Sequence, residues 1–316
     1  MRRMPAAGTT VCPSAPTATK RKRSAAADRV NPKTLLNEGR FCQKIMIIDT
    51  HTHIARVPNT ALAEKNFEEI RGLLIDEMES SHIDEVLLLA DFDKDNPMYT
   101  TTDVALKLVA GFPCLHVVGS VNVLTYKGAD LAELEELLRE KTVVGLKLYP
   151  GYQYFYPHDE RCIPIYELCQ RYDAPVIFHS GDTVNYETAA KIKYTHPLHI
   201  DDVATDFRNL KIIIAHLGNP WLLDCAEVLY KNENVFADLS GLVIGEGFHT
   251  PYSQVMRRRI EELIAYTGGS ARKLLYGTDW PLAPMRDYLE FIQTIGIPEN
   301  DMDYVLYKNA RGLFHL

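Results

Sequence analysis

Residues 175 to 218 read PVIFHSGDTVNYETAAKIKYTHPLHIDDVATDFRNLKIIIAHLG, and the order of their patterns decides the fold. The runs PVIFHSGD (175–182) and KIIIAHLG (211–218) are short and apolar, and each is stopped by Gly or Asp, as buried parallel strands are. Between them HIDDVATDFRN (199–209) carries a helical pattern. A strand, a helix and a second strand in that order make a parallel pair joined by a right-handed crossover. Both strands end in a histidine, His179 and His216.

The same rhythm extends in both directions. Upstream lie the strand-like runs IMIIDTHTHI (45–54), EVLLLA (85–90), LHVVGSVNV (115–123) and VVGLKLYPG (143–151); downstream lie NVFADLSG (234–241) and KLLYGTDWP (273–281). Amphipathic stretches fill the gaps, among them DLAELEELLRE, IPIYELCQRY, WLLDCAEVLYKN and QVMRRRIEELIAY. Eight such units match an α/β protein of the (β/α)8 barrel type over residues 45–316, which needs about 250 residues. An open doubly wound sheet lacks support, because no G-x-G-x-x-G follows the first strand. MDYVLYKNARGLF near the end reads as a closing helix over the barrel.

The formal charge of −8 joins two unlike parts. Residues 1–40 hold nine basic and two acidic residues, a net of +7, which leaves −15 for the other 276. This leader has almost no large apolar residues before Leu35 and cannot bury enough surface to repay its ordering. Residues 1–44 are therefore expected to be a disordered basic extension. Its composition leaves organelle targeting open, while Met46 is the expected natural start. The acidic body argues against nucleic acid, which needs a concentrated basic face. No apolar stretch approaches the roughly 20 residues of a spanning helix. Six scattered cysteines fit reduced thiols and a cytoplasmic setting. A small molecule is the expected partner.

A barrel carries its active site at the C-terminal ends of its strands, so polar residues there are the informative ones. Asp49, His51 and His53 share one strand face by the period of two, which aims both imidazoles inward as metal ligands. A single buried histidine would read as a core residue. With His179, His216 and Asp279 at three further strand ends, the mouth offers the nitrogen and oxygen donors that a divalent ion such as zinc prefers. Lys147 shares inward parity with Val143, Gly145 and Tyr149 and needs a partner or a modification. An ion pair with Asp49 is one reading; a functional lysine is the other.

The set IIDTHTHI, GLKLYPG, VIFHSGD, IIIAHLG and LLYGTDWP resembles the amidohydrolase superfamily, in particular the branch that includes aminocarboxymuconate-semialdehyde decarboxylase. The resemblance implies His51, His53, His179 and Asp279 as metal ligands. It implies His216 as a proton-handling group or second-metal ligand, and Lys147 as a carboxylated bridge between two metals or a free substrate-holding ammonium. One or two ions are implied, zinc first, with manganese or another divalent ion in its place. The implied reaction is hydrolysis of an amide, ester or lactone by metal-activated water, with Asp279, His216 and Lys147 as catalytic groups. The alternative is non-oxidative decarboxylation of a muconate-type or aromatic acid; a non-catalytic metal-bound binding protein is the remote third. Tyr149, Tyr152, Asp182 and His249 are expected to contact substrate, which could be anionic. Dimers are common among related proteins, so a homodimer stays open.

Overall fold

Strands with an apolar residue at almost every position are satisfied only when both faces are covered, one by the barrel interior and one by helices. The computed structural model describes residues 45–183 and 189–316 and builds this arrangement. The basic leader expected over residues 1–44 lies outside the described residues, as does part of the loop after the fifth strand.

Eight parallel strands form one sheet in chain order: β1 (Ile48–Thr52), β2 (Glu85–Leu89), β3 (Leu115–Ser120), β4 (Gly145–Leu148), β5 (Val176–Phe178), β6 (Ile212–Ile214), β7 (Val235–Asp238) and β8 (Leu274–Leu275). The last strand returns to the first through Thr50 N–H to Tyr276 O at 3.0 Å and His53 N–H to Trp280 O at 2.7 Å. The (β/α)8 barrel expected from the rhythm is the fold.

Helices occupy the expected gaps: α1 (Phe67–Ser81), α2 (Thr102–Val109), α3 (Gly128–Arg139), α4 (Ile163–Arg171), α5 (Leu198–Asp206), α6 (Leu222–Lys231), α7 (Pro251–Tyr266) and α8 (Met285–Thr294). α1 shows why. Asn66 accepts from Glu69 N–H while Glu69 accepts from Asn66 N–H, each at 2.9 Å, so the first turn is capped from both sides. Ile70, Leu74 and Met78 then recur every four residues and are buried. α7 starts before the expected Gln254, because Thr250 caps it and Pro251 fits the first turn, where no amide donor is needed.

The C-terminal stretch is the expected closing helix, continuous through α9 (Glu299–Asp303), a π-helical turn over Tyr304–Lys308, and α10 (Asn309–Phe314). Ala310, Leu313 and Phe314 pack with Ile48, Leu87, Val118, Ile177, Ile213 and Leu275, the inward residues near the strand starts. The segment thus plugs the N-terminal end of the barrel. Gly145 opens β4 because a Cβ there would lie 2.9 Å from Pro175 O and 3.3 Å from the Phe314 ring. Asn309 also donates to the carbonyls of Arg272 and Leu274, and Tyr276 N–H donates to Val305 O, so these groups around the two-residue β8 bond to the plug. Phe314→Ala should cost about 3–5 kcal/mol in urea unfolding. A loss below about 1 kcal/mol would show that the plug carries little of the stability.

Cys162, Cys169 and Cys225 are buried and unpaired, as reduced core thiols are. Among the described residues, no helix is long and apolar enough to cross a membrane.

Candidate active site

The inward residues change character along each strand, from apolar at the plug to polar at the opposite end. In β1 the alternation slips to achieve this. Ile48 packs with the interior cluster, yet His51 and His53 also reach the site, and the pairing with β2 shifts register between Asp49 and Thr52. Asp49 therefore does not share the face of the two histidines, which corrects the strict period of two. Its carboxylate accepts from Thr278 Oγ1 at 2.6 Å, Thr278 N–H at 3.0 Å and His51 N–H at 3.1 Å. It ties β1 to the loop that carries Asp279, and burial pushes its pKa up to about 7 against these bonds.

A cavity of about 370 Å³ opens at the C-terminal ends of the strands. His51, His53, Lys147, His179, His216 and Asp279 all line it, together with Tyr149 and Tyr152. Asp279 Oδ1 lies 3.6 Å from His51 Nε2 and 3.5 Å from His53 Nε2. Ligating atoms of these three residues stand within 4.8 Å of one another, a cluster suited to a cation. The opposite ring nitrogens are occupied: His51 Nδ1 lies 2.8 Å from Asp238 Oδ2, and His53 Nδ1 lies 3.1 Å from Leu89 O. Each therefore donates from Nδ1 and turns Nε2 toward Asp279; in His51, which burial keeps neutral, that Nε2 is a lone pair. His179 is reversed. Its Nε2 donates to Asp182 O at 3.0 Å, so Nδ1 is its free donor atom.

Two backbone features hold the groups in place. His216 and Asp279 have positive φ, 57° and 67°, a region few side-chain-bearing residues adopt and one that concentrates at working sites. Gly241 lies against both: a Cβ there would stand 2.9 Å from His216 Nδ1 and 3.0 Å from Asp279 Oδ2. Gly241→Ala should therefore displace one of these groups and lower metal content by about tenfold, measured by elemental analysis of the purified protein.

Electrostatics follow from burial. Burial pushes His51 down to about 3, and the Lys147 charge adds to this against the pull of Asp238. His179 is lowered too, by burial and then His216. Burial raises Asp279, but His53, His216 and His51 more than reverse it and keep the carboxylate ionised. His51 and His179 are thus neutral imidazoles near an ionised carboxylate, the protonation state that a divalent ion requires of its ligands.

Lys147 Nζ is buried and has no hydrogen-bond partner among the described residues. The ion pair with Asp49 does not form. Burial lowers its pKa to about 8, with Asp238 and Asp279 opposing, and its ammonium stands 5.4 Å from the centre of the Tyr149 ring. Tyr149 OH donates to Ala90 O at 2.8 Å, and the Tyr152 ring packs 4.8 Å from that of His179.

Two of the expected substrate contacts do not line this cavity. Asp182 is exposed; its carbonyl holds His179, its carboxylate accepts from Asn219 Nδ2 at 3.3 Å, and it stays within electrostatic reach of His216 and Asp279. His249 lines a separate groove with Phe248, Arg257 and Asp287, because its loop folds onto α7 and α8. In turn, the cavity gains Asp91, Phe92, Asn96 and Tyr99 from the loop after β2. Asp91 follows the apolar run EVLLLA, the same strand-end signal that marks His179, and burial pushes it up to about 6. Asp238 ends β7 in the same way. Tyr99 sits in irregular loop sequence and leaves no such signal.

The family model described as Amidohydrolase matches residues 48–316. This chain belongs to the amidohydrolase family and is an enzyme of that class. No curated protein matches it in sequence. Solved structures match its fold. An uncharacterized TIM-barrel protein from Bordetella bronchiseptica is 21% identical, with a TM-score of 0.65 over 85% of this chain and 98% of that one. A probable 2-pyrone-4,6-dicarboxylic acid hydrolase from Acinetobacter baumannii, with citric acid bound, is 16% identical, TM-score 0.60, over 85% and 99%. A 5-carboxyvanillate decarboxylase from Novosphingobium aromaticivorans, with manganese and a nitrobenzoic acid bound, is 14% identical, TM-score 0.63, over 86% and 97%.

Proposed function

We propose that this protein is a divalent-metal-dependent decarboxylase that acts on a small aromatic or muconate-type carboxylic acid. The observation that carries the reading is the buried, unpartnered Lys147 ammonium in the wall of a cavity that also holds the His51, His53 and Asp279 cluster. An unpaired buried cation is costly unless an anion arrives to meet it. The rings of Phe92, Tyr99, Tyr149 and Tyr152 line the same cavity and suit a planar substrate. Decarboxylation thereby takes first place over the hydrolysis expected from the sequence.

His51, His53 and Asp279 would hold the ion, with His179 as a fourth donor; zinc or manganese suits these nitrogen and oxygen atoms. When bound, the ion supplies a Lewis acid that withdraws charge from a substrate oxygen. Lys147 Nζ donates to the substrate anion and fixes its orientation. The aromatic rings exclude water from one face. His216 Nδ1–H is held by Ser240 O at 3.1 Å, so once Nε2 has taken up a proton from solvent the ring can deliver that proton to the carbon that loses its carboxylate and return to its Nδ1–H form. The carbon–carbon bond breaks, its electron pair takes that proton, and carbon dioxide leaves.

Hydrolysis of a lactone or ester is the second reading, favoured by the ionised Asp279, which could accept a proton from an attacking water. Metal analysis, intact mass for a carboxylated lysine, and assays with hydroxylated benzoic acids, muconate-type acids and lactones separate the two. Carbon dioxide release by protein with one metal and an unmodified Lys147 is expected. Turnover of lactones alone by a two-metal, lysine-carboxylated form would overturn the first reading in favour of the second.

A further inference from the structure

Asp238 lies outside the cavity lining yet touches two of its groups. Oδ2 accepts from His51 Nδ1 at 2.8 Å. Oδ1 accepts from His216 N–H at 2.9 Å, Ser240 N–H at 3.1 Å and Ser240 Oγ–H at 2.5 Å. The Ser240 oxygen in turn lies 3.0 Å from His51 Nδ1 and 2.9 Å from His216 Nδ1. Asp238 and Ser240 are almost wholly buried, so no water competes for these bonds.

We infer that Asp238, with Ser240, is the positioning residue of this site: it sets which ring nitrogen of His51 carries the proton and clamps the His216 turn, so that both Nε2 atoms serve the cavity. A buried carboxylate cannot donate, so the His51 nitrogen facing it must. The proton is thereby confined to Nδ1, and Nε2 faces Asp279 as a lone pair. At His216 the carboxylate holds the backbone N–H of a residue with φ 57°, a conformation that needs such support. Through Ser240 it also sets the carbonyl that receives His216 Nδ1–H.

The ligating atoms of His51, His216 and Asp238 are close enough to suit a second cation. The carboxylate, however, already accepts four donors, and both Nδ1 atoms are committed to it or to Ser240. A hydrogen-bonded hub accounts for every contact. The inference rests on the proposed role of His51 in holding metal, but its first test does not.

Long-range proton–nitrogen NMR on the metal-free full-length protein reads each imidazole tautomer directly. His51 and His216 are expected to be protonated at Nδ1. In Asp238→Asn, whose amide can donate where the carboxylate accepted, His51 should move toward the Nε2–H form while His216 stays with Ser240 O. Zinc affinity, measured by calorimetry with zinc ions alone, should fall about 10- to 100-fold. An Nε2–H His51 in the unsubstituted protein overturns the inference, as does an Asp238→Asn protein with the same tautomers and zinc affinity within about threefold. A second zinc lost only in that variant would make Asp238 a ligand instead. Should the variant fail to fold, the tautomers of the unsubstituted protein decide. Correct tautomers in a protein that binds no zinc would leave the Asp238 role standing and overturn the proposed metal-dependent function.

Discussion

Lys147→Met is expected to have opposite effects on activity and on stability. Loss of the buried ammonium removes the proposed cationic partner of a substrate anion and should lower kcat/KM by about 100- to 1000-fold. The metal-free protein should become more stable, because Met fills similar space without the desolvation that burial imposes on a charge. A folded pKa near 8 against an unfolded value of 10.5 corresponds to about 3 kcal/mol at pH 7. That shift already sets the attraction to Asp238 and Asp279 against desolvation, so the gain should be about 1–3 kcal/mol. The sign with pH follows. Between pH 8 and 10.5 the unfolded chain binds more protons than the folded one, so the stability of the unsubstituted protein rises across this window. The advantage of the Met variant should shrink over the same range. Urea unfolding with a chelator at pH 7 and pH 10 checks this; a Met variant that is less stable at pH 7 would mean that Lys147 has a buried partner.

Asp279→Asn should lower kcat/KM by about 1000-fold while the fold survives. Asparagine is the informative replacement because Asp279 has φ 67°, a region Asn tolerates better than most residues. The variant keeps the side-chain shape and removes the negative charge beside His51 and His53. In the proposed site His51, His53 and His179 would remain to hold the ion, so one equivalent of metal should bind with weakened affinity. Activity within tenfold of the unsubstituted protein, at equal metal content, would remove Asp279 from the chemistry.

Much of this site was legible because the cavity groups follow apolar runs. His179 follows VIF, His216 follows IIIA, and Asp279 lies beyond LLYG, so each stands where a buried strand reaches the barrel mouth. Asp91 and Asp238 carry the same mark at the ends of β2 and β7, and it was their carboxylates that composition alone made easy to pass over. The slip in β1 was not legible. A strict alternation places Asp49 with His51 and His53, whereas the pairing with β2 shifts and sends its carboxylate to Thr278. His249 misled for another reason: a glycine-rich loop can fold toward the mouth or onto the neighbouring helices, and local sequence does not choose between them.

Chain order, strand number and six of the polar groups of the cavity came from the sequence by itself, since burial of parallel strands imposes a continuous apolar pattern that any polar residue interrupts visibly. Tertiary structure alone decided which nitrogen of each histidine faces the cavity, what Lys147 lacks, and that the last helix plugs the opposite end of the barrel. The physical reason is distance along the chain. His51 and Asp238 are 187 residues apart, and their bond exists only because closing the barrel sets register and twist for all eight strands at once.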